Sequence, residues 1–255
     1  MINLVQAEIY KLVRNKAFWY LMLTSIVLSF LLHILVLIDW WQIGGTPLDD
    51  AGLSQLNALN FYRLPLFFNL FVSTLGAFYV SNEFSQGGTI KNQIISGNKR
   101  RHIFFSKYLV LTLSSILISV VLPLLTAIIS VFLFGHGEIF SPSRISYLCL
   151  AFILFTFQFL SFTAIVSLIA ILTEDSGKTI LFTLVIAILM LAVEKLSSGT
   201  FVELLYQQTV FSQFNVAFKY NISSDEVLHS IVIGGIWGII LLLLNIFTLK
   251  HKEIK

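Results

Sequence analysis

Long apolar runs alternate with short charged connectors along the whole chain. Uncharged stretches lie at Phe18–Ile38 (21 residues), Leu64–Asn82 (19), Tyr108–Gly135 (28), Ile145–Thr173 and Val227–Leu249. About 20 apolar residues in a helix cross roughly 30 Å of hydrocarbon, so each run predicts a spanning helix. A sixth run, Thr179–Val193, has 15 residues between Lys178 and Glu194. It covers only about 22 Å and reaches full length only with Glu194 and Lys195 at membrane depth. The expected fold is an all-α integral membrane protein with six spans, over 18–38, 64–82, 108–135, 145–173, 179–195 and 227–249.

Three segments are patterned differently. Within residues 1–17, Ile2, Val5, Ile9, Leu12 and Val13 share one helical face, while Asn3, Glu8, Lys11, Asn15 and Lys16 fall mostly on the other. That spacing predicts an amphipathic helix in the interface plane, its lysines toward anionic headgroups, acting as an elbow before the first span. The connector 83–107 starts at Glu83. Gly87 and Gly88 break the helix, Thr89 can cap a new one, and Ile90, Ile94 and Ile95 give it an apolar edge. Gly97 and Asn98 end it, and Lys99, Arg100 and Arg101 follow. A short amphipathic helix between two spans suits a groove in a soluble partner; the basic cluster by itself fits plain topology charge equally well. Segment 196–226 carries Leu204, Leu205, Tyr206, Val210, Phe211, Phe214, Val216 and Phe218. It is too apolar for a free loop and too interrupted to span, which predicts short protein-shielded helices dipping into the outer leaflet.

Charge sets the orientation. Lys11, Arg14, Lys16, Lys91, Lys99, Arg100, Arg101, Lys107, Lys178, Lys250, Lys252 and Lys255 fall on one side; Arg63, Arg144, Lys195 and Lys219 fall on the other. The lysine and arginine excess marks the cytoplasm, so both termini are expected there. The first run is too long for a signal-peptide core and is read as a retained span. Composition agrees: 57% of residues are hydrophobic and 11% charged, with a mean hydropathy of +0.89. An average soluble domain holds about 25% charged residues, so a sizeable soluble catalytic domain is excluded. The lone Cys149 allows no internal disulfide and reads as a small apolar side chain.

Candidate chemistry inside the spans is sparse. His33 and His229 read as histidines satisfied by neighbouring helices or the interface rather than as proton relays, and Glu194 as an interface boundary. No His-Glu-x-x-His motif appears, which disfavours an intramembrane metalloprotease. Phe67, Phe68, Phe71 and Phe78 recur at near-helical spacing along the second run. Phe67, Phe71 and Phe78, with the polar outliers Asn69 and Gln158, are candidate lining of a path for an apolar or amphipathic substrate. Lipid-facing packing and interhelical hydrogen bonds account for the same residues equally well. Gly234 and Gly238 form a close-contact motif, and Pro123 predicts a kink in the third span.

The elbow, the six spans and the series Glu83, Gly88, Thr89, Ile90, Lys91, Asn92, Gly97, Arg101 and Lys107 together resemble the permease subunit of type-2 ABC exporters. In particular it resembles small Gram-positive permeases for lantibiotic immunity, bacitracin-type resistance and phenol-soluble modulin export. The resemblance implies a multi-pass plasma-membrane exporter of hydrophobic or amphipathic peptides, with drug, lipid or polysaccharide as alternative cargo. It implies two copies of an ABC ATP-binding subunit, a second permease copy or a paralogue, contact with membrane lipids and no nucleic acid. The segment after Glu83 would be the coupling helix. The chain itself would be no enzyme and hold no cofactor, with ATP and Mg bound by the partner. Gly177-Lys178-Thr179 lacks the earlier glycine of a phosphate loop, Leu172 standing there. A non-transporting sensor or assembly factor is the alternative of a different class.

Overall fold

The computed structural model describes residues 2–85, 89–197 and 199–252. Its helices are α1 (Ile2–Arg14), α2 (Lys16–Leu37), α3 (Pro47–Asp50), α4 (Leu59–Arg63), α5 (Pro65–Gly76), α6 (Asn82–Ser85) and α7 (Thr89–Ile95). They continue as α8 (Arg100–Ile116), α9 (Leu122–Leu133), α10 (Pro142–Thr173), α11 (Ser176–Leu196), α12 (Phe201–Gln207), α13 (Val210–Val216) and α14 (Ser224–His251). No strand occurs among the described residues.

Five helical stretches are long and apolar enough to cross a membrane: α2, α8 continuing through α9, α10, α11 and α14. A sixth column runs helically from Pro65 to Ser85 in three pieces: α5, a π-helical turn at Ala77–Ser81, and α6. The uncharged run at 179–193 understates α11. Asp175 caps that helix by accepting from the Lys178 backbone N–H at 2.7 Å. The helix therefore starts at Ser176 and takes in Lys178, Glu194 and Lys195, reaching 21 residues.

Pro123 lacks an N–H and would clash with the carbonyl four residues earlier in a regular helix. The chain answers with a π-helical turn at Leu117–Val121. Ser25 Oγ of α2 donates to the Ile118 carbonyl in that turn at 2.6 Å. Ser25, Ser29 and His33, spaced by four, form a buried polar stripe along an otherwise apolar α2. Ser29 Oγ and Thr126 Oγ1 lie 2.5 Å apart, so this stripe fastens α2 to α9.

The glycine pair predicted for close contact is used against α10. A Cβ on Gly234 would sit 2.6 Å from Gln158 Oε1, and one on Gly238 would sit 3.1 Å from Ser161 Oγ. Gln158 Nε2 donates to the Ser230 carbonyl at 2.7 Å, Ser161 Oγ to that of Gly234 at 2.8 Å, and Asn245 Nδ2 to that of Ala164 at 3.0 Å. α5 also packs along α11 and α1 along α8, while α10 touches α8 and α11.

One end of the bundle, the basal end, gathers α1, α6, α7 and the last turn of α14. Arg100 Nη1 donates to the carbonyls of Leu249, Lys250 and Lys252, while Lys252 pairs with Glu174 at 3.0 Å and donates to the Ile171 carbonyl. Cations thus sit on the carbonyl ends of α10 and α14, where the helix dipoles favour them. The other, distal end is a folded cap. Thr46 and Asp49 form a capping box on α3, and Leu48, Leu53, Leu56 and Leu59 are buried beneath it. Segment 196–226 supplies α12 and α13. Phe211, Phe214 and Phe218 are buried with Phe68, Phe155, Phe159 and Phe162 in an aromatic core, whereas Phe201, Leu204 and Leu205 of α12 are exposed.

Candidate functional site

The basal end holds an ionic network whose charges come from α1, α6 and α8. Lys107 Nζ, on α8, lies 2.7 Å from Glu8 Oε2 of α1 and 2.5 Å from Glu83 Oε2 of α6. Lys11 Nζ lies 2.8 Å from Glu8 Oε1 and 3.0 Å from Glu83 Oε1. Two carboxylates and two ammonium groups therefore neutralise one another in alternation. Tyr79 Oη, from the π-helical turn, donates to Glu8 Oε2 at 2.7 Å, and its ring lies 5.0 Å from the Lys107 ammonium. Gln93 Nε2, from α7, donates to Glu8 Oε1 at 3.0 Å.

Glu8 is fully buried, and Lys107 nearly so. Burial alone would raise the Glu8 pKa. The charge and hydrogen bond of Lys107, joined by those of Lys11, outweigh it and hold Glu8 at about 2 rather than the ordinary 4.5. Burial likewise disfavours the Lys11 charge, but hydrogen bonding to Glu8 and the nearby charge of Glu83 raise its pKa above 10.5. Glu8 and Lys11 are therefore both ionised near neutrality. Removing one partner from such a buried set typically costs about 3–5 kcal/mol, because its counter-charge is stranded.

This arrangement corrects the expectation for residues 1–17. Glu8 and Lys11 face the protein, not lipid headgroups. Glu8 and Leu12, one turn apart, are the buried positions of α1, and Ile2, Ile9 and Val13 are exposed. The reason is that Lys107 and Glu83 offer Glu8 and Lys11 counter-charges that water or headgroups would otherwise supply. The signal was present: Glu8 is the lone acidic residue before Asp39, and Lys107 is the last charge before a 28-residue apolar run.

The predicted coupling residues divide into three groups. Glu83 and Lys107 enter the network. Thr89 opens α7 and Ile90 is buried beneath it, whereas Lys91 and Asn92 are exposed with Ile95, which is 74% accessible. Gly97 adopts φ +83°, a conformation that favours glycine, and ends the helix; Arg101 is exposed beyond it. Gly88 lies outside the described residues. The resulting surface presents an apolar tip, Ile95, flanked by Lys91, Lys99 and Arg101.

The candidate path residues occupy different surroundings. Phe67 and Phe71 pack with Tyr62, the Tyr62–Phe67 ring centroids being 5.0 Å apart, and Phe78 is exposed. Gln158 is held by Ser230 in the α10–α14 contact. Asn69 is fully buried, with neither amide atom hydrogen bonded. A larger space lies elsewhere: an apolar groove of about 670 Å³ between α9 and α10, walled by Leu124, Ile128, Phe132, Leu148 and Phe152.

No curated protein matches the chain. Residues 4–193 match the model of a family described as ABC-2 family transporter protein. The match runs from α1 into α11 and takes in Glu8, Glu83, Gln93 and Lys107. That family membership implies an ABC ATP-binding partner. With five helices of membrane-crossing length, this match identifies a multi-pass membrane transport subunit, and the chain belongs to the ABC-2 family of transporter proteins.

Proposed function

We propose that this chain is the permease of an ATP-driven exporter in which α7 is the coupling helix and the Glu8 network passes its motion to the spans. The observation that carries this reading is the Gln93–Glu8 hydrogen bond, with Glu8 paired to Lys107 of α8 and linked through Lys107 and Lys11 to Glu83 of α6. A rigid push on α7 reaches the elbow through Gln93, and reaches the second and third spans through Glu83 and Lys107. The two π-helical turns lie within those same spans. Such turns recur at functional positions in helices. Differential affinity of the ATP-binding partner for two arrangements of this end would drive alternation between facing states.

In this reading the basal end is cytoplasmic and carries both termini. The Pro65–Ser85 column completes six spans as the second in chain order, α1 lies in the interface, and α12 dips into the outer leaflet with its exposed phenylalanine and leucines. Two ATP-binding subunits hold ATP and Mg, and a second permease completes the path. The cargo is hydrophobic or amphipathic, an antimicrobial or toxin peptide of a Gram-positive cell being our first choice. The α9–α10 groove has the size of a ligand site. The test is a complex carrying Gln93→Ala or Glu83→Lys. Both should retain membrane insertion, while ATP hydrolysis continues without export. Export at the wild-type rate in both variants contradicts the assignment.

A further inference from the structure

Arg63 ends α4 beneath the distal cap, and the coupling mechanism does not use it. Its Nε is buried without a hydrogen-bond partner, and no carboxylate pairs with it among the described residues. Glu194, whose field reaches it, is occupied by Tyr206 at 2.9 Å and Lys195 at 3.4 Å. The contact it does make is with the face of Phe218, 5.9 Å away. Arg63 as a whole is half-buried, so it is the shielded Nε that lacks a partner, and a cation without a counter-ion in a membrane protein points to a ligand or ion pathway.

Arg63 lines a small cavity of about 10 Å³ with Ser119, Tyr62, Pro123, Phe152 and Phe218. Ser119 is 1% accessible, and its Oγ also lacks a partner. It lies in the π-helical turn of the third span. Two unsatisfied donors thus border a space for about one water-sized atom, the size of a single carboxylate or phosphate oxygen. Phe152 forms a wall of this cavity and also of the apolar α9–α10 groove. Polar donors and an apolar trough therefore adjoin across one side chain.

We propose that Arg63 and Ser119 bind the anionic group, carboxylate or phosphate, of an amphiphile whose apolar part occupies the α9–α10 groove. As a statement about cargo this rests on the export reading; as a statement about binding it does not. Cation pairing selects the anion, and the groove, with almost no polar lining, selects the tail. The anionic group belongs either to exported cargo or to a phospholipid headgroup.

The test uses the full chain in phosphatidylcholine nanodiscs, with N-dodecanoylglycine as anionic probe and dodecyltrimethylammonium as its cationic counterpart, read by calorimetry. The wild type binds the anionic probe at least roughly tenfold more tightly than the cationic one. Arg63→Gln loses about tenfold or more, as expected for removal of a charge-assisted hydrogen bond. Arg63→Lys retains part of the affinity, Ser119→Ala loses a few-fold, and the exposed Lys195→Gln is unchanged. Equal binding of both probes, or wild-type affinity in Arg63→Gln, overturns the site. Should Arg63→Gln fail to assemble, unchanged affinity in both Arg63→Lys and Ser119→Ala overturns it instead. In discs containing phosphatidylglycerol, displacement of the probe assigns the site to a lipid headgroup, and undiminished binding assigns it to cargo. Co-purification of the ATP-binding subunit, which Arg63→Gln leaves intact, reports separately on the export reading.

Discussion

Protonating Glu8 removes an anion that two ammonium groups share. Its pKa in the fold, about 2, lies below the ordinary 4.5, so its contribution to stability is complete above pH 4.5 and is lost as pH falls toward 2. Lys11 sets the opposite limit: its raised pKa gives a contribution present below about 10.5 and lost above it. Thermal unfolding in detergent should therefore show a plateau between these values and a steep loss on the acid side. In Glu8→Gln the acid loss should be shallower and stability at neutral pH lower by about 3 kcal/mol, the scale of a broken buried ion network. A wild-type profile identical to that of Glu8→Gln below pH 4.5 would remove the network from the account. Single-residue chemistry of this kind was poorly legible in the sequence. Helical periodicity places Glu8 opposite an apolar face, and nothing in one helix reveals that Lys107, 99 positions away, waits on the inner side. The half-buried Arg63, without a carboxylate partner among the described residues, was hidden for the same reason, since a count of charges by side cannot distinguish a solvated arginine from one whose Nε is shielded.

Elements were read better than contacts, because apolar run length and helix breakers act locally. The glycine at 97 and the isoleucines at 90 and 95 outline α7, and their exposure divides it into an anchored side and an open tip. Ile95→Asp alters that tip without touching the bundle, so its thermal midpoint should match wild type within about 0.5 kcal/mol while binding of the ATP-binding subunit is lost. Gly234→Leu acts inside the bundle. A side chain there meets Gln158 at 2.6 Å and Phe157 at 2.9 Å, separating α10 from α14 where their hydrogen bonds are made. It should lower the yield of folded protein sharply, and size-exclusion profiles in detergent check it; a monodisperse, wild-type-like peak would show that the close approach is dispensable. The start of α11 escaped the pattern because charge, which truncates a hydropathy run, here caps and extends the helix. The distal cap at 46–63 escaped it too. Its order comes from a capping box and buried leucines, short-range signals set inside a connector with no single period.

At the scale of the whole molecule, charged and aromatic tie-points gather at the two ends, and the hydrogen bonds of α2 with the third span and of α10 with α14 join the helices between them. The basal end is fastened by the Glu8 network and by Arg100 and Lys252 on helix carbonyls; the distal end is fastened by the cap and the Phe68 cluster. Between them α2, α11 and α14 present mostly lipid-facing surface. The orientation is open to direct labelling. In a Cys149→Ser background, Ser96→Cys on the basal side should react with impermeant maleimide only after the membrane is opened, and Ser54→Cys in the cap should react in intact cells. The reverse pattern would invert the topology. In the sequence the orientation rests on the positive-inside pattern, a property of totals that this labelling tests directly, whereas a path depends on which residues face one another, and a single sequence does not give that.

The most direct test of the central claim is the composition of the complex solubilised gently from native membranes through a tag on this chain. Wild type should bring down an ABC ATP-binding subunit in equal amount, and Ile95→Asp, folded to the same thermal midpoint, should bring down none. A chain that purifies without that subunit, or an Ile95→Asp variant that retains it in full, would contradict the assignment of α7 as the coupling element.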